Sequence, residues 1–401
     1  MSTEVEGPGP TPGTTDAGRH AGGLGAYWEG ISAVVALEVR QRLRSRGWYI
    51  LLAIWVVVIG FVTALTWSSW KVQVQAQGDF GVVAPGAAGQ APGSLIFEIV
   101  LAFVLLFGLL VAPAFSANAV NGDRAGGTLA ILQVTLLRPG QILWGKFLAS
   151  WLAGLAFLVV SIPFLLFGFL QGGLGMGHIL VALLMMAVEL GVVCAIGVGI
   201  SALASRPLFS IVVTYLVVAA LGVGTLIAFG LGSLVSQGTV QANQAYYKNT
   251  YVQEGSGGSD PAPGYPEMPS GITDQNNDYA CYGPLTEQQA VRSDRVAWLL
   301  GMNPFVVVAD AIPYPDRSTQ GSYSQGVFES ISQGARYVQA GPDATYQCAG
   351  GKITPLYLGQ KAPLWPLGLG LQLALTAGIL ALGWRALRTP AGRLPKGTRV
   401  A

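Results

Sequence analysis

Residues Trp48–Trp67 read WYILLAIWVVVIGFVTALTW, a run without one charged side chain. A helix rises about 1.5 Å per residue, so about 20 such residues cross the ~30 Å hydrocarbon core of a bilayer. A water-soluble fold has no need of such a stretch. Comparable runs recur at Leu95–Phe115, Ile142–Leu170, Ile179–Leu203, Phe209–Val235 and Leu364–Leu387. In lipid every backbone polar group must be bonded internally, so each run reads as a membrane-spanning helix. The third and fifth runs exceed the minimum length and predict tilt or a break. Pro113 and Pro163 are candidate kink points.

Composition agrees. Charged residues make up 10% of the chain and hydrophobic ones 52%, against roughly 25% charged in soluble domains. The net charge of +2 gives no sign of a nucleic-acid partner, and membrane lipids are the expected surroundings. The expected fold class is therefore an all-α integral membrane protein with six transmembrane helices.

Working outward from the first span, residues 1–25 are rich in Gly, Pro and Thr and read as a disordered tail. No A-x-A-like cleavage site follows the first span, which predicts an uncleaved anchor. From Tyr27 to Arg46 a helical pattern appears, with Trp28, Ile31, Val35, Val39 and Leu43 on one stripe. A basic amphipathic helix beside a span is expected to lie in the membrane interface.

Charge placement gives a direction. Arg40, Arg42, Arg44 and Arg46 precede the first span. Arg124, Arg138 and Lys146 lie between the second and third, and Arg206 between the fourth and fifth. Arg385, Arg388, Arg393, Lys396 and Arg399 follow the last span with no acid among them. The short alternate connections hold only Lys71 and His178, and the long insertion has more acids than bases. Basic residues gather on the cytoplasmic side, so both termini are expected there. The predicted organisation is a cytoplasmic tail (1–25), spans one to five (26–235), an extracytoplasmic insertion (236–363), the sixth span (364–388) and a basic cytoplasmic tail (389–401).

The insertion is rich in Gly, Ser, Pro, Asn and Tyr and reads as irregular and partly ordered. Cys281 and Cys348 lie in it, facing an oxidising compartment where a disulfide persists. Closing that loop contributes roughly 4 kcal/mol on the chain-entropy account. Val296–Ile312 is apolar but short and broken by Asn303-Pro304, which predicts a re-entrant or surface-lying helical hairpin.

No G-x-x-x-x-G-K-[ST] phosphate loop is present, since Gly145-Lys146 lacks both the upstream glycine and the following hydroxyl. H-E-x-x-H, C-x-x-C and G-x-S-x-G are likewise missing, and the chain has two histidines. Metal-based or histidine-based catalysis is not expected. Inside the membrane, Glu189 falls mid-way along the fourth span and Glu98 opens the second. A carboxylate at mid-membrane costs about 2.5–3.5 kcal/mol, which makes Glu189 and Glu98 candidates for a transport pathway, with a neutral, hydrogen-bonded structural Glu as the other reading. Gly191, Ala195 and Gly199 form a small-residue ridge suited to helix packing.

Residues 118–146 read NAVNGDRAGGTLAILQVTLLRPGQILWGK. An amphipathic stretch with Leu129, Ile131 and Leu132 beside a few charges suits docking of a helix in a groove. This stretch resembles the permeases of the ABC-2 type exporter family, whose ATPase is a separate chain. The matching positions are Asp123, Gly127, Thr128, Leu129, Leu132, Thr135, Ile142, Gly145 and Lys146; Ala125 and Leu136 depart from the pattern. The resemblance implies that residues 118–138 form a cytoplasmic coupling helix. Its expected ATPase-docking residues are Asp123, Arg124, Gly127, Thr128, Leu129, Leu132 and Thr135. It implies further that Glu38–Gly47 ends an elbow helix, and it extends to Asn303-Pro304 and to Trp384–Arg388. The implied partners are two copies of an ABC ATP-binding subunit and a second permease copy or a homologous permease. No cofactor is expected on this chain, with ATP and Mg on the ATPase. The implied function is ATP-driven export of a lipophilic substrate across the cell membrane. Two other classes remain open: an ATP-independent secondary transporter, which would call for repeated halves and midplane ion sites, and a membrane-anchored receptor or sensor that reads the outside with its insertion.

Overall fold

The computed structural model describes residues 24–79, 92–126, 138–172, 174–247, 279–314, 326–346, 348–351 and 362–388. Six helices are long and apolar enough to cross a membrane: Arg46–Val72, Gly93–Ala125, Pro139–Leu170, Met176–Leu203, Pro207–Val235 and Trp365–Leu387. Each contains or closely overlaps one apolar run. The ends shift by a few residues because caps, and not hydropathy, stop a helix. Pro139, Pro207 and Pro366 sit in first turns, where a missing N–H costs nothing.

The elements before the insertion are α1 (Leu24–Arg44), α2 (Arg46–Asp79), α3 (Pro92–Ser116), α4 (Asn121–Ala125), α5 (Pro139–Leu170), α6 (Met176–Leu203) and α7 (Pro207–Val235). The expected helix ahead of the first span exists as α1, and the side it packs on the bundle is rotated from the apolar stripe. Ile31 and Val34 are buried, whereas Trp28 and Leu43 are 61% and 51% exposed. Glu38 turns inward because a buried cation waits for it on α5. The chain corners at Ser45, where Tyr49 Oη donates to the Leu43 carbonyl at 3.0 Å.

The fourth span, α6, is the central post. From Glu189 to Ala202 every side chain is buried, while α2, α7 and the last span keep most of their apolar surface outward. Small residues let neighbours approach it closely. A Cβ on Gly197 would meet Ser116, one on Gly199 would meet Ile379, and Gly383 lies against the Gly199 backbone. Trp55 ties the first span to the third by donating to the Phe157 carbonyl (3.2 Å) and Ser161 Oγ (3.1 Å).

The long fifth span carries its irregularity as a π turn at Ala220–Gly224. Such turns release a backbone carbonyl. Gly222 O is taken up by Asn303 Nδ2 at 2.6 Å, and the same amide reaches Thr225 Oγ1 at 3.0 Å.

The insertion then follows: β1 (Gln237–Tyr247), β2 (Tyr279–Val291), α8 (Ala297–Gly301), α9 (Pro304–Ala311), α10 (Val327–Ala340) and α11 (Pro342–Thr345), before α12 (Trp365–Leu387) closes the bundle. The two strands form an antiparallel hairpin with Gln237 opposite Val291 and an irregularity between Ala242 and Gln244. Sequence reading gave this region no strands. Cys281 and Cys348 are joined by a disulfide, and Gly350 N donates to Gln241 O beside it. The predicted broken hairpin is α8–α9. Asn303 caps α9 by accepting from Phe305 N at 2.9 Å, and Val306–Asp310 are buried. At this end of the bundle Asp310 accepts from Ser332 Oγ, Arg336 Nε and the Leu364 and Trp365 amides, joining α9, α10 and the start of α12.

Candidate functional site

The opposite end, where α1, α4, the start of α5 and the finish of α6 and α12 meet, holds the described part of the candidate docking region. Asp123 and Arg124 lie on α4. Gly127, Thr128, Leu129, Leu132 and Thr135 lie outside the described residues, as do most of the two terminal tails. Both flanks of that segment are tightly held. On the upstream side, Ser201 Oγ accepts from the Val120 and Asn121 amides at 3.0 and 3.1 Å. Arg124 donates to the Ala204 carbonyl at 2.8 Å and the Ala202 carbonyl at 3.4 Å. These are the open carbonyls at the end of α6, where a guanidinium is favoured. Downstream, Gln141 Oε1 accepts from Arg138 N at 2.7 Å, and its amide donates to Tyr27 O at 3.0 Å. Gly140 lies beside Tyr27 and Trp384, so α1 and α12 flank the start of α5.

Between the flanks stands Lys146. Its side chain is 1% exposed, and Nζ pairs with Glu38 at 2.6 Å and with Asp123 at 2.5 Å. Close by, Arg42 donates to Phe115 O at 3.3 Å and lies over the Phe115 ring. Burial lowers the Arg42 pKa, with Glu38 pulling the other way. The sequence reading placed Lys146 only within a family pattern and gave its charge no partner. The signal was there: a lysine inside the apolar stretch QILWGKFLASW must find a counter-charge or leave the membrane.

The two candidate pathway carboxylates are far apart in the fold. Glu189 is fully buried inside the bundle, and neither of its oxygens has a hydrogen-bond partner. Gln372 of α12 lies beside it; that amide donates to Met302 O at 3.0 Å while its own oxygen also lacks a partner. Glu98 sits at the insertion end, where it accepts from the Phe328 and Glu329 amides at 2.8 and 3.3 Å and so caps α10 from another element. Next to it, Tyr314 packs edge-on against His178. Burial, with Glu98, Glu329 and Asp310 adding their charge, pushes the Tyr314 hydroxyl well above its ordinary range. Among the described residues, no group of three or more His, Cys, Asp or Glu is placed to hold a metal ion.

The pattern of spans and the clamped connection has a match. Residues 32–339 fit the family described as ABC-2 family transporter protein. The chain belongs to the ABC-2 transporter family. The match runs from α1 into α10, so it takes in most of the insertion, where sequence reading found a likeness at Asn303-Pro304 alone; Trp384–Arg388 lies beyond it. Membership in the ABC-2 family makes this chain a membrane permease subunit of an ABC transporter. Such a subunit is a transport component and not itself catalytic, and the family implies association with an ABC ATP-binding subunit. No curated protein matches the chain.

Proposed function

We propose that this permease exports a lipophilic substrate, a drug, natural product, lipid or glycolipid, across the cell membrane, driven by two ATP-binding subunits that carry the ATP and Mg. A second permease copy or a homologous permease completes the pathway. Both termini face the cytoplasm, and the ATP-binding subunits dock on the stretch from Asp123 to Thr135. The observation that carries this reading is the double clamp: α4 is fixed to the end of α6, and the start of α5 is fixed to α1. The described ends on either side of residues 127–137 are therefore both firmly held, so a push on the docking stretch would pass into α4 and α5. The basic residues at that end and the disulfide at the other support the orientation.

The test is co-purification with the ATP-binding subunit, for the parent chain and for a Leu129→Asp, Leu132→Asp variant. Retention by the parent and loss of at least about tenfold in the variant is expected, since a groove-docking apolar face tolerates no charge. Equal retention by both would remove residues 127–135 from the docking site.

A further inference from the structure

Lys146 belongs to α5, Glu38 to α1 and Asp123 to α4, so one ammonium holds three elements. The arrangement is asymmetric. Two carboxylates share one cation, with Glu38 18% and Asp123 27% exposed on their side chains. Removing either acid leaves an ion pair. Removing the lysine leaves two carboxylates that face the vacated space and repel, with water reaching them only at the rim. Gly145 gives Lys146 this position, since a Cβ there would run into Val34 of α1 at 2.7 Å. The close seam between α1 and α5 therefore brings the ammonium to Glu38.

Mechanically, α4 is the upstream support of residues 127–137. It is only five residues long and is joined to α3 by a turn. Ser201 and Arg124 fix it to α6, which is the buried post. Lys146 links α4 to both α1 and α5 through its two ion pairs. We infer that Lys146 is a positioning residue for coupling. It binds α1, α4 and α5 into one unit, so that a push on the docked segment moves the helices and is not absorbed by the short connection. This inference rests on the proposed docking of the ATP-binding subunit at that segment.

The experiment uses the full permease purified in lipid vesicles with its ATP-binding subunit. A cysteine replaces exposed Ser69, near the outer finish of the first span. Its reactivity toward a water-soluble maleimide is followed with and without ATP, alongside ATP hydrolysis. The coupling measure is the ATP-dependent change in reactivity per ATP hydrolysed. Lys146→Met is expected to lower this measure at least about tenfold, and Lys146→Arg to retain it, because the guanidinium still serves both acids. Formation of the Cys281–Cys348 disulfide reports folding. Should the uncompensated acids unfold Lys146→Met, the pair Glu38→Gln with Lys146→Met removes the repulsion. That double variant is expected to fold and to remain uncoupled. Full coupling in a folded variant lacking the lysine overturns the inference and leaves the docking reading standing. A parent chain that does not retain the ATP-binding subunit overturns the docking reading itself.

Discussion

At mid-membrane Glu189 and the Gln372 side chain beside it each keep buried oxygen without a donor. An unmatched buried polar atom costs about 1–3 kcal/mol. Glutamine at position 189 keeps the side chain's shape, brings amide hydrogens to this donor-poor site and removes the cost of burying a carboxylate. Glu189→Gln is therefore expected to raise the unfolding midpoint of the detergent-purified chain, by about 1 kcal/mol of stability; a lowered midpoint would show that the acid itself is needed there. Gly93 illustrates the steric side. A Cβ on it would run into the Gly172 and Gly168 carbonyl oxygens, both backbone atoms that cannot swing away. Gly93→Ala must push the start of the second span off the finish of the third. A loss of about 1–3 kcal/mol is expected in the same unfolding measurement.

At the scale of elements, Asn303 shows how a side chain settles two helices at once. It caps α9 through Phe305 N and answers the carbonyl released by the π turn of α7. Asn303→Ala gives up both, and a loss of about 2 kcal/mol or more is expected. Proteolysis of the α8–α9 hairpin should quicken more than cleavage elsewhere, and equal protection would mean the π turn finds another donor. The spans themselves were readable because apolar runs in a membrane admit one backbone solution. The strands β1 and β2 were not. The β1 sequence QGTVQANQAYY and the β2 sequence YACYGPLTEQQAV show little apolar alternation, so neither face announces itself; backbone pairing and the Cys281–Cys348 link hold them. The side of α1 that packs on the bundle was not legible for a related reason. Periodicity counts apolar residues, while Glu38 is drawn in by a lysine over a hundred positions away in the chain. Two of the seven candidate docking residues, Asp123 and Arg124, hold α4 to α5 and α6, a role that only the tertiary contacts disclose.

For the whole molecule the proposal turns on which end faces which side. The two ends differ in chemistry. One gathers Arg42, Arg124, Lys146, Arg385 and Arg388, and the other gathers buried Glu98, Asp310 and Glu329 and carries the β1–β2 hairpin with its disulfide. Basic residues resist translocation across the membrane and stay inside, and disulfides persist outside, so two independent arguments choose the same orientation. The prediction is specific to named positions. In a variant whose buried Cys194 is replaced by Ala, a cysteine introduced at exposed Ser45, in the corner between α1 and α2, should resist a membrane-impermeant maleimide added to intact cells and react once the cells are opened. A cysteine introduced at exposed Gln288 on β2 should react in both cases. The reverse pattern would turn the chain over and put the docking segment out of reach of any cytoplasmic ATPase. Orientation is therefore the measurement on which residues, elements and proposed function jointly depend, because the Lys146 clamp can transmit ATP-driven motion only from the side where ATP is.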